Sequence, residues 1–139
     1  MVTRRALRRL FVAALGFIAF AAAGRAEIYV ASFSPQRVSV FADGATASAA
    51  PLRVIEGSLT TLSFPSQVVA DSLHGELLVA DVAHVLVFPL QANGNVAPLR
   101  AIALPSNGLK PWGLALDLVR DRLLVSVSDN DQTGALLVY

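Results

Sequence analysis

The residues best suited to metal chemistry are two aspartates in one polar segment of the sequence. Asp129 and Asp131 stand two positions apart in 128–134, SDNDQTG, which closes with a glycine. Carboxylates at this spacing before a turn glycine are typical of the beginning of a calcium-binding loop. Asp and Asn are also typical of polar hairpin turns. Calcium held by Asp129 and Asp131 is therefore one hypothesis, and a structural loop is the other. No other cofactor is predicted.

Four further residues are candidates for ligand binding. Trp112 lies two positions after Lys110, and Asp81 lies three positions before His84. An indole ring either packs in a core with its N–H satisfied or forms a binding platform at the surface. His74 and His84 are interpreted as surface histidines rather than catalytic ones. No catalytic residue is predicted.

An internal repeat indicates which elements must position these residues. Ala-Pro-Leu-Arg occurs at 50–53 and again at 97–100, 47 positions later. The segment 65–81, PSQVVADSLHGELLVAD, aligns with 111–127, PWGLALDLVRDRLLVSV, at a shift of 46. EIYVAS at 27–32 parallels ELLVAD at 76–81, and VSVF at 38–41 parallels VLVF at 85–88. A period of this length is typical of a repeat architecture.

Each period divides into four short strands separated by turn residues. Runs such as LLVA and VLVF are apolar on consecutive positions, which predicts strands buried on both faces of their sheet. Four-stranded units covered on both faces by their neighbours form a β-propeller. The sequence therefore predicts an all-β fold, a partial propeller of about two and a half four-stranded blades over 27–55, 65–104 and 111–139.

The Pro-Leu-Arg repeat is predicted to begin the outermost strand of a blade. Proline is tolerated there because an edge strand can spare a backbone N–H. Arg53 and Arg100 are expected at solvated or salt-bridged positions on the blade edge. Leu52, Leu99 and the isoleucines that follow them are expected to point toward the adjacent blade.

The stretch 85–126, with its Asn-Gly-Asn turn, Pro-Leu-Arg-x-Ile strand and Pro-x-Gly-x-Ala-x-Asp strand, resembles the bacterial NHL-type and lactonase-like β-propeller repeats. The resemblance extends over 27–139 and implies the propeller fold. Lactonase-type members bind a divalent cation at the channel mouth with carboxylate and amide side chains. The matching segments here, 65–67 and 111–113, contain no carboxylate. Gln67, Ser126 and Val127 depart from the repeat pattern.

The beginning of the sequence predicts export. Four arginines within 4–9 precede a 14-residue uncharged run, LFVAALGFIAFAAA, and then small residues. This is typical of a signal peptide, a signal helix over 1–26 cleaved after Ala26, the preferred position, or after Ala23. The run is shorter than the ~20 residues that span a bilayer, so no stable membrane insertion is expected after cleavage. An uncleaved anchor is the alternative. The protein is expected in the periplasm or outside the cell, through general secretion rather than twin-arginine export.

The predicted mature part keeps six basic and ten acidic residues, a formal net charge of −4, and the sequence has no cysteine. This charge does not favour nucleic-acid binding. The leading hypothesis is an exported binding module for a protein or glycan. A lactonase-like hydrolase or lyase is the alternative, and a non-functional gene fragment is the third. Because closed propellers need at least four blades, a truncated propeller or self-association is expected, and truncation is favoured.

Overall fold

The computed structural model describes residues 26–105, 108–129 and 134–139, which form ten β-strands in three antiparallel sheets. The predicted signal peptide, apart from Ala26, and Asp131 lie outside the described residues. The all-β prediction is confirmed, because the described part contains no α-helix and a single turn of 3-10 helix, Ser58–Thr60. No helix among these residues has the length and apolar character needed to cross a membrane.

The strands follow the chain order within each sheet. Sheet 1 contains β1 (Glu27–Phe33), β2 (Gln36–Ala42) and β3 (Arg53–Glu56). Sheet 2 contains β4 (Pro65–Asp71), β5 (Glu76–Asp81), β6 (His84–Pro89) and β7 (Arg100–Ala103). Sheet 3 contains β8 (Lys110–Asp117), β9 (Arg122–Ser128) and β10 (Gly134–Val138).

The repeat shift of 46 residues is visible in the strand registers. Pro65 pairs with Asp81 in sheet 2, and Pro111 pairs with Val127 in sheet 3. In both sheets the register then shifts by one residue, at Ser66 and at Trp112. A bulge of this kind changes the direction in which a side chain points. The two sheets are therefore equivalent even in their irregularity.

The repeated Pro-Leu-Arg segment has the same role in sheets 1 and 2. The N–H of Leu52 donates to the carbonyl of Val40, and the N–H of Leu99 donates to the carbonyl of Val87, both at 2.7 Å. The following arginine reaches across the sheet to a glutamate that begins another strand. Arg53 pairs with Glu27, and Arg100 pairs with Glu76. The prediction of a salt-bridged arginine is confirmed at both positions.

The expectation for the neighbouring aliphatic residues was wrong in part. Leu52 and Leu99 are exposed to solvent rather than packed toward another sheet. Ile55 is fully buried, and Ile102 packs at the margin of a core. The difference arises because Leu52 and Leu99 precede the short strands β3 and β7, before the ladder orients alternate side chains inward.

Two cores lie between the three sheets. One contains Val38 and Ile55 of sheet 1 together with Leu77, Val79 and Phe88 of sheet 2. The other packs the opposite face of sheet 2 against sheet 3, and its members include Leu78, Ala80, Val85, Val87, Leu114, Leu123, Val125 and Val127. Sheet 2 is therefore apolar on both faces, as its consecutive apolar residues predict.

The first strands of the three sheets lie side by side. Strand β1 packs beside β4, and β4 packs beside β8. Gln67 of β4 extends its side-chain amide to β8, where the Oε1 atom accepts the N–H of Leu114 at 2.6 Å. Gln67 occupies the position of Gly113 in the repeat, and its longer side chain adds a hydrogen bond between sheets 2 and 3.

Candidate functional site

Because successive strands are antiparallel, the connections between them collect at two ends of the sheets. We call the end that carries Phe33, Phe64 and Trp112 the aromatic end. The opposite end carries the β4–β5 and β8–β9 turns with Asp71, His74 and Asp117, and we call it the charged end. All four residues proposed for binding, Lys110, Trp112, Asp81 and His84, lie at the aromatic end.

Two exposed phenylalanines stack at the aromatic end. Phe33 is the last residue of β1, and Phe64 comes directly before β4. Their ring centroids are 5.0 Å apart with an interplanar angle of 26°. The rings meet because β1 packs beside β4, yet both remain exposed. This pair was not predicted from the sequence. The signal that could have indicated it is the position of both rings at predicted strand ends on the same side of the molecule.

Trp112 and Lys110 line a cavity of about 290 Å³ beside this stack. Phe64 forms part of the same wall, and the other lining residues are Ser63, Ser66, Val82 and Pro111. The Trp112 side chain is 53% exposed, so the core-packing alternative for this residue is wrong. Trp112 sits at the bulge of β8, and the extra residue in the register turns its ring away from the core.

Asp81 and His84 line a second, more open cavity of about 450 Å³. Ser63 and Val82 contribute to both cavities, so the two are neighbours. Val82 adopts φ +29°, which is uncommon for a β-branched residue, and it forms the two-residue turn with Ala83 between β5 and β6. Backbone strain of this kind clusters at functional sites in many proteins.

Asp81 positions the backbone of the aromatic end rather than offering a free carboxylate. The side chain is buried, and its Oδ2 atom accepts the N–H of Ser63 at 2.8 Å. Its Oδ1 atom accepts the N–H of Phe64. These bonds fix the connection that presents the Phe64 ring. The equivalent residue in sheet 3 is Val127, so this arrangement belongs to sheet 2.

Ser66 lines the smaller cavity and links sheet 2 to sheet 3 through a hydrogen bond. Its hydroxyl donates to the carbonyl of Pro111 at 3.0 Å and lies 3.4 Å from the carbonyl of Ala80. The bulge residue of sheet 2 therefore holds the strand that carries Trp112. The segments 65–67 and 111–113 are joined by this hydrogen bond from Ser66 to Pro111.

The calcium hypothesis stays a prediction. Asp129 follows β9, whereas Asp131 lies outside the described residues. Within the part of the chain that the structure describes, no group of three or more His, Cys, Asp or Glu side chains is placed to hold a metal ion.

The charged end repeats one turn in two sheets. Asp71 accepts the N–H groups of Leu73 and His74, each at 3.0 Å, and Asp117 accepts those of Val119 and Arg120, each at 3.2 Å. A basic side chain at the fourth position closes each turn. The Nδ1 atom of His74 lies 2.7 Å from Asp71, and Arg120 lies 3.0 Å from Asp117.

His74 also connects two sheets. Its Nε2 atom is 3.6 Å from the Oδ1 atom of Asp121, in the β8–β9 turn. Hydrogen bonding to Asp71, aided by the nearby carboxylate charges, raises the pKa of His74. Burial raises the pKa of Asp71, but the hydrogen bonds from His74 and Leu73 outweigh it, and the net shift is downward. His74 and His84 stand at opposite ends of sheet 2.

The ion pair of sheet 1 is the more deeply buried of the two repeated pairs. Arg53 donates to both oxygens of Glu27, at 2.7 and 2.8 Å, and the Tyr29 hydroxyl donates to the same carboxylate at 2.6 Å. Hydrogen bonds from Arg53 and then Tyr29 lower the pKa of Glu27 to about 2. Burial, together with the hydrogen bond to Glu27, raises the pKa of Tyr29 to about 12.

Comparison of the chain with protein-family models, with curated proteins and with solved structures found no match.

Proposed function

We propose that this protein is an exported binding module whose sheets are blades of a partial β-propeller and whose aromatic end binds a glycan. Three features support the blade arrangement. The sheets follow one another along the chain, their first strands β1, β4 and β8 lie side by side, and sheet 2 packs with both faces against its neighbours. This is how successive propeller blades bury a continuous core.

The observation that carries the binding proposal is the set of exposed rings at one end. Phe33, Phe64 and Trp112 come from three separate segments, and each remains largely in contact with solvent. Aromatic rings bury a large area on contact with a ligand. The segments that hold Phe64 and Trp112 are fixed by Asp81 and Ser66. A rigid support of this kind lowers the entropic cost of binding.

A glycan fits the chemistry of this end. Sugar rings present flat C–H faces that can lie on aromatic rings, and their hydroxyl oxygens can accept hydrogen bonds from the Lys110 ammonium. Ser63 and Ser66 add hydroxyl groups to the same cavity. Pockets that are mainly apolar with a few polar groups are typical of small-ligand sites. The buried carboxylate of Asp81 already has two backbone partners, which argues against its use as a general acid or base.

The proposal of export rests on the arginine-rich start and the short apolar run. The structure adds one observation about the two candidate cleavage positions. The carbonyl of Ala26 accepts the N–H of Asp43 at 3.0 Å, which continues the β1–β2 ladder. Cleavage after Ala23 keeps this bond, and cleavage after Ala26 removes the residue that supplies it. Mass spectrometry of the exported protein should therefore find a species that begins at Gly24. A species that begins at Met1 in the membrane fraction would contradict export with cleavage.

The sequence contains a single tryptophan, so intrinsic fluorescence reports on Trp112 alone. We expect soluble oligosaccharides from a mixed panel to change its intensity or emission maximum in a saturable way. Phe64→Ala should weaken the affinity about fivefold, since one aromatic contact is worth ~1 kcal/mol. Val119→Ala, in an exposed turn at the charged end, is the matched control and should leave the titration unchanged.

Two outcomes would count against the proposal. If no oligosaccharide changes the fluorescence while an unstructured peptide does, the ligand is a protein segment and the glycan assignment is wrong. If Phe64→Ala and Val119→Ala weaken binding equally, the aromatic end is not the site.

A further inference from the structure

At the interface between sheets 2 and 3, a defined set of side chains from each sheet packs against the other sheet. Sheet 2 turns four small or aliphatic side chains toward sheet 3, in two cross-strand pairs: Leu78 with Val87, and Ala80 with Val85. All four are buried, and Val85 and Val87 have no exposed surface.

The same positions in sheet 3 form an open face. Leu124 pairs with Val138, and Ser126 pairs with Leu136, which reproduces the two pairs of sheet 2 in the same strands of the repeat. Leu136 and Val138 are 61% and 54% exposed, although their equivalents in sheet 2 are fully buried. Sheet 3 therefore presents the surface that receives a following sheet.

Sheet 1 presents the complementary open face. Toward sheet 1, sheet 2 uses the cross-strand pairs Leu77 with Phe88 and Val79 with Leu86. The equivalent pairs in sheet 1 are Ile28 with Phe41 and Val30 with Ser39, and they point away from sheet 2. Ile28 and Val30 are exposed.

An apolar groove runs along this open face of sheet 1. Ile28, Val30 and Phe41 form its floor, and the alanine-rich connection 43–50 forms its side. The groove has a volume of about 430 Å³. It is lined by the residue types that fill the two internal cores.

We infer that the two open faces are the halves of one interface, and that sheet 3 of one copy of this protein packs against sheet 1 of a second copy. The occupant is a second copy because the chain already builds this interface twice, between sheets 1 and 2 and between sheets 2 and 3. Each copy carries both halves in the register that those internal interfaces use. The contact joins two different surfaces, so it is heterologous.

The number of sheets sets the expected size of the assembly. A heterologous contact produces either a closed ring or an open filament. This size rests on the propeller arrangement proposed above, and propellers close with about four to eight blades. Two copies of three sheets fall in this range and three copies do not, so the expected species is a dimer in which both open faces of each copy are covered.

The test measures mass by size-exclusion chromatography with light scattering, on the exported product of the full 139-residue sequence. The wild-type protein is expected at twice the monomer mass. Leu136→Arg blocks sheet 3, Val30→Glu blocks sheet 1, and each variant alone is expected to be a monomer. Val119→Arg adds a charge at another exposed aliphatic position and is expected to stay dimeric.

Mixing the two blocked variants separates this proposal from other modes of association. The Leu136→Arg variant keeps the open face of sheet 1 intact, and the Val30→Glu variant keeps the open face of sheet 3 intact. An equimolar mixture should therefore restore the dimer mass. This recovery requires that both variants fold. If either shows a lost β-sheet circular dichroism signal, Leu136→Ser and Val30→Ser replace them, with a weakened dimer expected from each.

Three results would overturn the inference. A wild-type protein that is monomeric with a sharp unfolding transition would show that its open faces need no second copy. A dimer that survives Val30→Glu would indicate that sheet 3 packs against sheet 3. Heterogeneous aggregates that neither substitution disperses would indicate nonspecific association.

Discussion

The two ends of the sheets differ in the side chains that their hydrogen-bonded backbone presents to solvent. At the charged end, Asp71 and Asp117 each accept two backbone N–H groups and contact a basic side chain from the same turn. At the aromatic end, Asp81 and Ser66 fix the backbone in a similar way, yet the rings that this backbone presents face solvent.

This difference distinguishes polar groups that stabilise the fold from groups that are available to a ligand. The charged end includes a cavity of about 280 Å³, lined by Asp71, His74, Asp117 and Asp121 among others. Asp71, Glu76 and Asp117 at this end are already paired with His74, Arg100 and Arg120, so a ligand there would have to replace existing contacts. The aromatic end offers apolar area whose burial is favourable without such an exchange.

The largest loss of stability is expected when Asp81 is replaced, because its buried carboxylate fixes the backbone of the aromatic end. Asp81→Ala removes the acceptor of two backbone N–H groups, which leaves Ser63 and Phe64 without these bonds. We expect the free energy of unfolding to fall by about 2–3 kcal/mol. Urea denaturation monitored by circular dichroism measures the loss. If stability is unchanged, the 61–64 connection is held by other contacts and the account of the aromatic end is wrong.

The second prediction compares the loss of stability on breaking each of the two repeated ion pairs. The side chains of Arg53 and Glu27 are 15% and 19% exposed, whereas Arg100 is 52% exposed opposite Glu76. Arg53→Met should cost about 1–2 kcal/mol, because it leaves a partly buried carboxylate with fewer partners. Arg100→Met should cost less than about 1 kcal/mol. Equal losses would show that burial does not distinguish the two pairs.

The pH dependence of the Arg53 effect follows from the lowered pKa of Glu27. A carboxylate with a lowered folded-state pKa stabilises the protein fully above its ordinary value of 4.5, and this contribution is lost as the pH falls toward about 2. The stability difference between wild type and Arg53→Met should therefore narrow between pH 4.5 and pH 2.

The smallest effect is expected at His74. Its raised pKa means that the protonated form stabilises the fold fully below about pH 6.5, and that this contribution is lost as the pH rises through the folded-state value. The stability advantage of wild type over His74→Gln should decrease on the alkaline side. Arg120→Gln, at the equivalent turn position, is the control, since a guanidinium stays charged over this range. The same pH dependence in both variants would contradict the role of His74.

The sequence predicted what depends on local pattern. Consecutive apolar residues in 77–80 and 85–88 indicate a strand covered on both faces, and sheet 2 is covered in this way. The repeated Pro-Leu-Arg predicted a paired arginine on the sheet edge, which is present twice. Lys110 and Trp112 line the same cavity because they lie two positions apart on one strand.

The remaining features depend on how separate sheets meet. The stack of Phe33 on Phe64 requires β1 to lie beside β4, and no periodicity within either strand carries that information. Asp81 was predicted as a ligand-binding residue, whereas in the structure its carboxylate accepts backbone hydrogen bonds. Its hydrogen bonds to Ser63 and Phe64 depend on the path of a connection that sequence pattern does not define.

The most direct test of the central claim is a backbone amide NMR titration with the oligosaccharide that gives the strongest Trp112 fluorescence response. The account predicts saturable shifts for Ser63, Phe64, Ser66 and Trp112, with the amides of Leu73, His74 and Arg120 unmoved. Shifts centred on the charged end, or equal small shifts at both ends, would contradict the assignment of binding to the aromatic end.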